Sequence, residues 1–509
     1  MDKLMRNITK IILYSFCAIL IWIVSNSILY YTPIVYSFNP ILLALGTILY
    51  MMLIVFIYKK LLNKLLTKKY VPYVLIGIFF VLSIIIGYLL RLNPTWDMGD
   101  VYTIAKNHAL TGTMGGSKYL VSYPNNIMIT VIYTIVFKIV SLFGVKEFIT
   151  TATFFNAIII TSTVFITYRI AKIMFDNKKA LMILIIMVMT TPLYLHVAIY
   201  YTDSISMFFS SLILYLFLII NDNKNDKSKQ TILLQILLGF ILVIAWKVKV
   251  TSIFIFIAIC VYFILSSISK KQIKEILIVL ISFLIFLLLY NFIIEDRINN
   301  REDVDNLRMP MEYWILTGLN ENGVFKLEYY ELFCNYSTYK EKKEAGKKAI
   351  IETIKSYSVN DFVRHLTDKL KFAWTDGTYF APEKLRRDPV NYNILHKFVL
   401  SNEKYNSYYK YFPQIMHIGM MVFMICNCIK IAREKAYKSE KLILLIAIYG
   451  LMVFLLIWEN RSRYILTMLP IYILFEVDGI DMISEIKEVK RIRGVNESEK
   501  NISNYTNVL

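Results

Sequence analysis

The chain alternates long apolar runs with short polar turns. Runs near bilayer length extend from Ile11 to Tyr31, Pro40 to Tyr58, Val71 to Leu90, Thr150 to Phe175, Ala180 to Val197 and Ser204 to Ile220. Six more follow, at Thr231 to Trp246, Val250 to Ile268, Ile276 to Ile294, Phe412 to Ile429, Leu442 to Trp458 and Tyr464 to Phe475. Backbone amides in hydrocarbon must bond within their own segment, so each run is expected as a helix. Polar stretches of substance fall at two places, Arg91 to Thr150 and Glu295 to Tyr411. The expected fold is an all-α polytopic membrane protein with about twelve transmembrane helices. Residues 1–70 add two N-terminal helices, 71–294 form a membrane module with the large loop 91–150, and 295–411 fold as a small mixed domain outside the membrane. The remaining membrane helices lie in 412–477, and 478–509 form a polar tail.

A further run, Tyr123 to Gly144, is also long enough to cross, and its placement decides the side of every later loop. Asn126, Thr130, Thr134, Lys138 and Ser141 recur at helical spacing and give it one polar stripe, so it is expected along the interface of the first large loop. Charge points the same way. If this run does not cross, Lys59, Lys60, Lys64, Lys68 and Lys69 share a side with Arg169, Lys172, Lys178 and Lys179. The basic groups at Lys224, Lys227, Lys229 and at Lys270, Lys271, Lys274 join them. That is the positive-inside bias, with both termini cytoplasmic and the two large polar segments outside.

Composition then removes several classes of function. At 57% hydrophobic, 18% charged and a mean hydropathy of +0.54, this is no soluble globular chain. Most of the formal net charge of +19 falls in the cytoplasmic loops, where it meets anionic lipid headgroups, so no nucleic-acid partner is needed to explain it. Five scattered cysteines make no disulfide framework. The basic N-terminus runs into its apolar segment without a small-residue cleavage site and reads as a retained anchor. There is no HExxH, no Gly-rich phosphate loop and no GxSxG elbow, and five dispersed histidines have no metal spacing.

Ionisable residues at helix ends on the outer side carry the candidate chemistry. They are Asp97 and Asp100 in Trp96-Asp97-Met98-Gly99-Asp100-Val101-Tyr102, Asp203 after Tyr200-Tyr201-Thr202, Lys247 and Lys249 in one turn, and Glu459, Arg461 and Arg463 before Tyr464. A carboxylate beside an apolar wall is a candidate general base, and an arginine pair offers a forked, permanent grip on phosphate. The plainer readings are capping by Asp203 and Asp100, snorkelling by Lys247 and Lys249, and a surface ion pair at Glu459. A transporter or flippase for a lipid-linked or anionic substrate is the alternative of a different class. It would need ionisable groups deep in the spans, and these runs are nearly free of them.

Together these residues resemble the C-type glycosyltransferase superfamily, in particular the protein O-mannosyltransferase-like enzymes. The likeness rests on Asp97, Tyr102 and Ala105 after a span, on an interfacial helix from Tyr123-Pro124-Asn125-Asn126 to Phe143-Gly144, and on the outer Asp203. Pro310, Tyr313, Trp314, Gly318, Leu319, Asn320 and Gly323 in the outer segment, and Arg461, Arg463, Tyr464 and Pro470 near the end, extend it. The resemblance runs from about Val71 onward. It implies a membrane enzyme with a polyprenyl-phosphate-sugar donor and an acceptor glycan, wall polymer or protein, in single displacement. It implies catalytic roles for Asp97, Asp100 and Asp203, and a donor-phosphate grip by Lys249, Arg461 and Arg463. Substrate contacts would come from Tyr102, Tyr123, Asn125, Trp314, Asn320, Glu459 and Tyr464. A divalent metal between Asp97 and Asp203 is an optional element. The family's usual arginine early in the helix after the interfacial segment is absent from Thr150 to Asn156.

Overall fold

The computed structural model describes residues 2–29, 38–112, 117–222, 229–266, 269–299 and 302–485. Lys224 and Lys227 of the basic loops, and the tail beyond Glu485, lie outside them. Every apolar run is helical: Asp2–Leu29, Pro40–Leu66, Val71–Leu89, Phe148–Met174, Asn177–Met189, Thr202–Asp222, Lys229–Val248, Val250–Leu265, Lys270–Tyr290, Asn406–Glu434, Leu442–Ile457 and 469–485. Local signals set the ends. Glu147 accepts the Ile149 and Thr150 amides (3.1 and 2.7 Å) and starts the Phe148–Met174 helix, and Asn39 does the same ahead of Pro40. In the Ala180 to Val197 run Pro192 ends the regular helix, which gives way to a short Thr191–Leu195 helix and a turn.

Ionic contacts gather at one end of the bundle. Lys178 lies 4.4 Å over the Tyr58 ring, Lys179 pairs with Asp478 and Asp481 (2.7 and 3.0 Å), and Lys430 pairs with Asp481 (2.8 Å). Arg6 and Lys10 lie over Tyr437 at the same end. The basic turns after Tyr58 and after Met174 therefore share one end of the bundle with the start of the first helix.

The opposite end holds the large polar segments. The chain leaves there at Arg91 and returns there at Thr150, because the Arg91 guanidinium donates to the Thr150 hydroxyl. A Cβ on Gly87 would meet both Thr153 and Val197, so three helix ends meet at this level. Between exit and return, the Trp96–Thr111 and Ile127–Ser141 helices pack together through Tyr102 and Phe137, 5.6 Å between centroids. By length and composition Pro124–Ser141 also qualifies as a span. The segment that contains it nevertheless begins and ends at one end of the bundle.

Residues 295–411 differ from the mixed domain expected. They form two helices of 18 and 16 residues, Tyr339–Ser356 and Val359–Trp374, with shorter helices and turns around them, and their β pairing among the described residues is one isolated bridge, Leu92 to Pro389. That bridge, with Asn93 N–H donating to Asp388 O (2.8 Å) and Val390 N–H to Arg91 O (2.9 Å), fastens residues 388–390 onto the first loop.

Close helix contact in the C-terminal part depends on glycine. A Cβ on Gly479 would lie 1.9 Å from the Phe423 carbonyl oxygen, whereas one on Gly77 meets nothing within 4 Å. Gly479→Ala should lower stability by about 1–3 kcal/mol through overpacking. Gly77→Ala should leave it unchanged or slightly raised, and thermal melts of the two purified variants in one detergent make the comparison.

Candidate active site

Asp203 lies in the first turn of the Thr202–Asp222 helix and is buried. Its Oδ1 accepts from the Lys249 ammonium, and its Oδ2 accepts from Arg463 Nη1 at 3.0 Å. One carboxylate thus joins three distant stretches of sequence. The turn before it is built by Asn156, fully buried, whose amide donates to the carbonyls of His196 (2.8 Å) and Val197 (3.0 Å) and whose oxygen accepts from Ser204 (2.6 Å). Asp203 is therefore held by cations and does not serve as a helix cap. With both oxygens engaged it does not fit a metal ligand shared with Asp97, and no cluster of three or more His, Cys, Asp or Glu suited to a metal occurs among the described residues.

Tyr464 extends the group. Its hydroxyl donates to Glu459 (2.7 Å), and its ring lies under Lys249 (4.5 Å) and Arg463 (4.9 Å). Glu459 thus binds a tyrosine, where a surface ion pair with Arg461 or Arg463 was the plainer expectation. Lys247 points elsewhere and pairs with Glu295 at 2.5 Å.

Asp97 reaches the same place by a polar chain. It accepts from the Tyr119 hydroxyl (3.0 Å), which accepts from the Asn126 amide (2.6 Å), whose oxygen accepts from Tyr201 (2.7 Å). The Tyr201 ring lies 5.9 Å from the Arg463 guanidinium. Asp97 makes no ion pair among the described residues. Asp100, one turn on, is exposed, and partial burial together with Asp97 raises its carboxyl above the usual range.

Three of the expected contact residues have other partners or point elsewhere. Tyr102 packs between Phe137 and Tyr200 because it lies five residues, well round the helix, from Asp97. Asn125 is exposed, and Asn126 is the amide that enters the chain. Asn320 turns its amide onto its own loop, to the Val324 carbonyl (3.1 Å). Trp314 stacks on Trp458 with planes 3° apart, and Tyr123 meets its edge at 6.5 Å, so these two form a rim beside Tyr119.

Sequence reasoning missed Lys384 and Arg387. Residues 376–390 cross from the last turn to the first loop as a strap. Asp376 accepts from Ser462 (2.6 Å) and from the Phe380 amide (3.0 Å), Tyr379 and Phe380 take positive φ, and the contacts at Asn93 and Val390 hold the far end. The strap sets Lys384 3.9 Å and Arg387 4.3 Å from the Trp96 ring, next to Asp97. Lys384 is only 4% exposed, and burial followed by Arg463 and Arg387 holds its ammonium well below the usual lysine range. The pair Lys384-Leu385-Arg386-Arg387 was visible as a basic run, but nothing local tied it to a site.

Lys369 fixes the rim. Its amine donates to the Gly318 and Trp458 carbonyls (2.5 and 2.9 Å). Gly318 has no room for a Cβ, which would lie 2.2 Å from the Ile457 oxygen.

The sequence model of a family described as conserved hypothetical integral membrane proteins matches residues 6–480, almost the whole chain. The chain belongs to that family. No curated protein matches it. Among solved structures, this family member is similar to the archaeal oligosaccharyltransferase AglB from Archaeoglobus fulgidus, solved in complex with an inhibitory peptide and a dolichol-phosphate. The likeness has a TM-score of 0.40 and 12% identity, and covers 85% of this chain and 52% of that one. The chain therefore spans about half the length of AglB.

Two outcomes test this geometry. Asp203→Ala strands two buried cations and should cost about 3–5 kcal/mol, with Asp203→Ala/Lys249→Met recovering part of the loss in denaturant titrations. Burial lowers Lys369 to about 7, below the roughly 10.4 of an unfolded lysine. The unfolded chain then binds more protons across that window, so stability should rise as pH increases from 7 toward 10. Lys369→Met should make that rise in thermal midpoint shallower.

Proposed function

We propose that this protein is a membrane glycosyltransferase that moves a sugar from a polyprenyl-phosphate donor to an acceptor hydroxyl on the extracytoplasmic side. The observation that carries the reading is a carboxylate that makes no ion pair among the described residues, Asp97, beside a group of buried cations at the same end of the bundle. The sequence resemblance to the C-type glycosyltransferases supports the donor class. The gathering of basic turns at the opposite end supports cytoplasmic termini and an outward site.

In this reading Asp97, oriented by Tyr119, accepts the proton of the acceptor hydroxyl. The new bond forms from that oxygen to the anomeric carbon as the bond from the anomeric carbon to the phosphate oxygen breaks. Polyprenyl phosphate leaves with the electron pair, and Arg463, Arg461 and Lys249 stabilise its growing charge. Asp203 is a positioning residue that holds Lys249 and Arg463 in place. Trp314, Tyr123, Glu459 and Tyr464 border the sugar. The acceptor belongs to the chemistry of glycans, wall polymers or proteins, and no step runs through a metal.

One observation favours transport as the second reading. Glu476 is fully buried in the 469–485 helix and neither oxygen has a hydrogen-bond partner, which departs from the clean spans expected. A transporter would lose vesicle flux in Glu476→Gln.

Purified protein offered a panel of polyprenyl-phosphate sugars tests the enzyme reading. Asp97→Asn should reduce kcat by about 10²- to 10⁴-fold with the donor KM little changed. Equal turnover in parent and variant removes Asp97 from the role of base.

A further inference from the structure

The site holds more cations than one sugar phosphate requires. Lys249 and Arg463 share Asp203, while Arg461 lies 5.1 Å from the Phe380 ring with Glu459 acting on it, so two carboxylates offset two of these three charges and one is left to meet the single negative charge of a sugar phosphodiester. Lys384 and Arg387 come to the same place from the strap, close enough for Arg463 to act on both. Neither makes an ion pair among the described residues, and Lys384 makes no side-chain hydrogen bond there although it is only 4% exposed.

Two of the strap's three acids are already used, and the third, the exposed Asp388, makes no ion pair with either cation among the described residues. Glu383 pairs with Arg386 at 2.7 Å, and Asp376 accepts from Ser462, Thr378 and Phe380. The Trp96 face attracts both cations without neutralising either. Trp96 itself has a φ of 48°, a left-handed conformation that a bulky L side chain rarely adopts. Like charges brought together repel, and here backbone bonds at Asn93 and Val390 hold them together near Asp97, which forms an ion pair with neither among the described residues. Such an arrangement is complementary to an anion absent from the protein itself.

We propose that Lys384 and Arg387 form an anion subsite for the acceptor, which carries a phosphate or carboxylate close to the hydroxyl that receives the sugar. The inference rests on the glycosyl-transfer reading and assigns its acceptor class. The anion docks between the Lys384 ammonium and the forked Arg387 guanidinium above Trp96. Docking there presents the neighbouring hydroxyl to Asp97. Bond making, bond breaking and proton transfer are as described above, and the anion itself is unchanged by the reaction.

The test uses the full-length protein and a donor from the panel, with one glycan acceptor in neutral, phosphorylated and carboxylated forms. The parent should favour an anionic form at least tenfold in kcat/KM. K384Q and R387Q should each reduce that ratio about tenfold through the acceptor KM, with the donor KM unchanged. Arg387 is exposed, so R387Q tests the subsite without emptying the core. A ratio untouched by both variants, or a parent that prefers the neutral form, overturns the proposal. So does a rise in donor KM, which would assign the two cations to a donor diphosphate.

If no sugar is transferred to any acceptor, the glycosyl-transfer reading fails and a binding measurement decides the subsite separately. Inorganic phosphate should then change tryptophan emission saturably in the parent. The change should be lost in Trp96→Phe and weakened about tenfold in R387Q. No saturable change, or one that survives Trp96→Phe, overturns it.

Discussion

A single buried carboxylate organises the reactive end of this protein. Asp203 is contacted by Lys249 and Arg463, which belong to the ends of two other helices, and desolvation makes each of the three groups costly alone. An ion triad of this kind adds little net stability over an apolar core. Its effect is on geometry: the three helix ends adopt one arrangement, and Tyr464 with Glu459 is carried along with it.

Around that triad the polar segments are laid down in a definite order. The first large loop supplies Asp97 through the Tyr119, Asn126 and Tyr201 chain, and the segment before the last three membrane helices returns as a strap over it. The strap is fastened at both ends by backbone bonds and by Asp376, so its cations cannot relax apart. Lys369 does the same for the rim, where two backbone carbonyls converge on one buried amine. Cost is concentrated where substrate chemistry would act, at positive φ, buried cations and a carboxylate without a cation.

The other end of the bundle solves a different problem. There Asp478 and Asp481 on one helix meet Lys179, Lys430 and Lys441 from three different helix ends. Ion pairs that close the bundle at one end leave the opposite end to be shaped by its large polar segments. Close backbone approach at Gly479 and Gly318 ties the two ends into one packed unit.

The sequence alone determined the helices, because hydrocarbon leaves the backbone no other way to satisfy its amides. It also brought out the scarce ionisable residues at helix ends, since such groups stand out against apolar runs. Asp97, Asp203, Lys249, Arg461, Arg463, Glu459 and Tyr464 were all legible in that way. Tertiary structure decided how they are used: that both oxygens of Asp203 go to cations, that Asn126 and not Asn125 points inward, and that Tyr102 packs away from Asp97. It alone brought in Lys384 and Arg387, which lie nearly three hundred residues from Trp96 in sequence. Periodicity reports which face of a helix is apolar. It carries no information about which distant segment crosses that face, because such contacts are fixed by packing and by backbone bonds between loops.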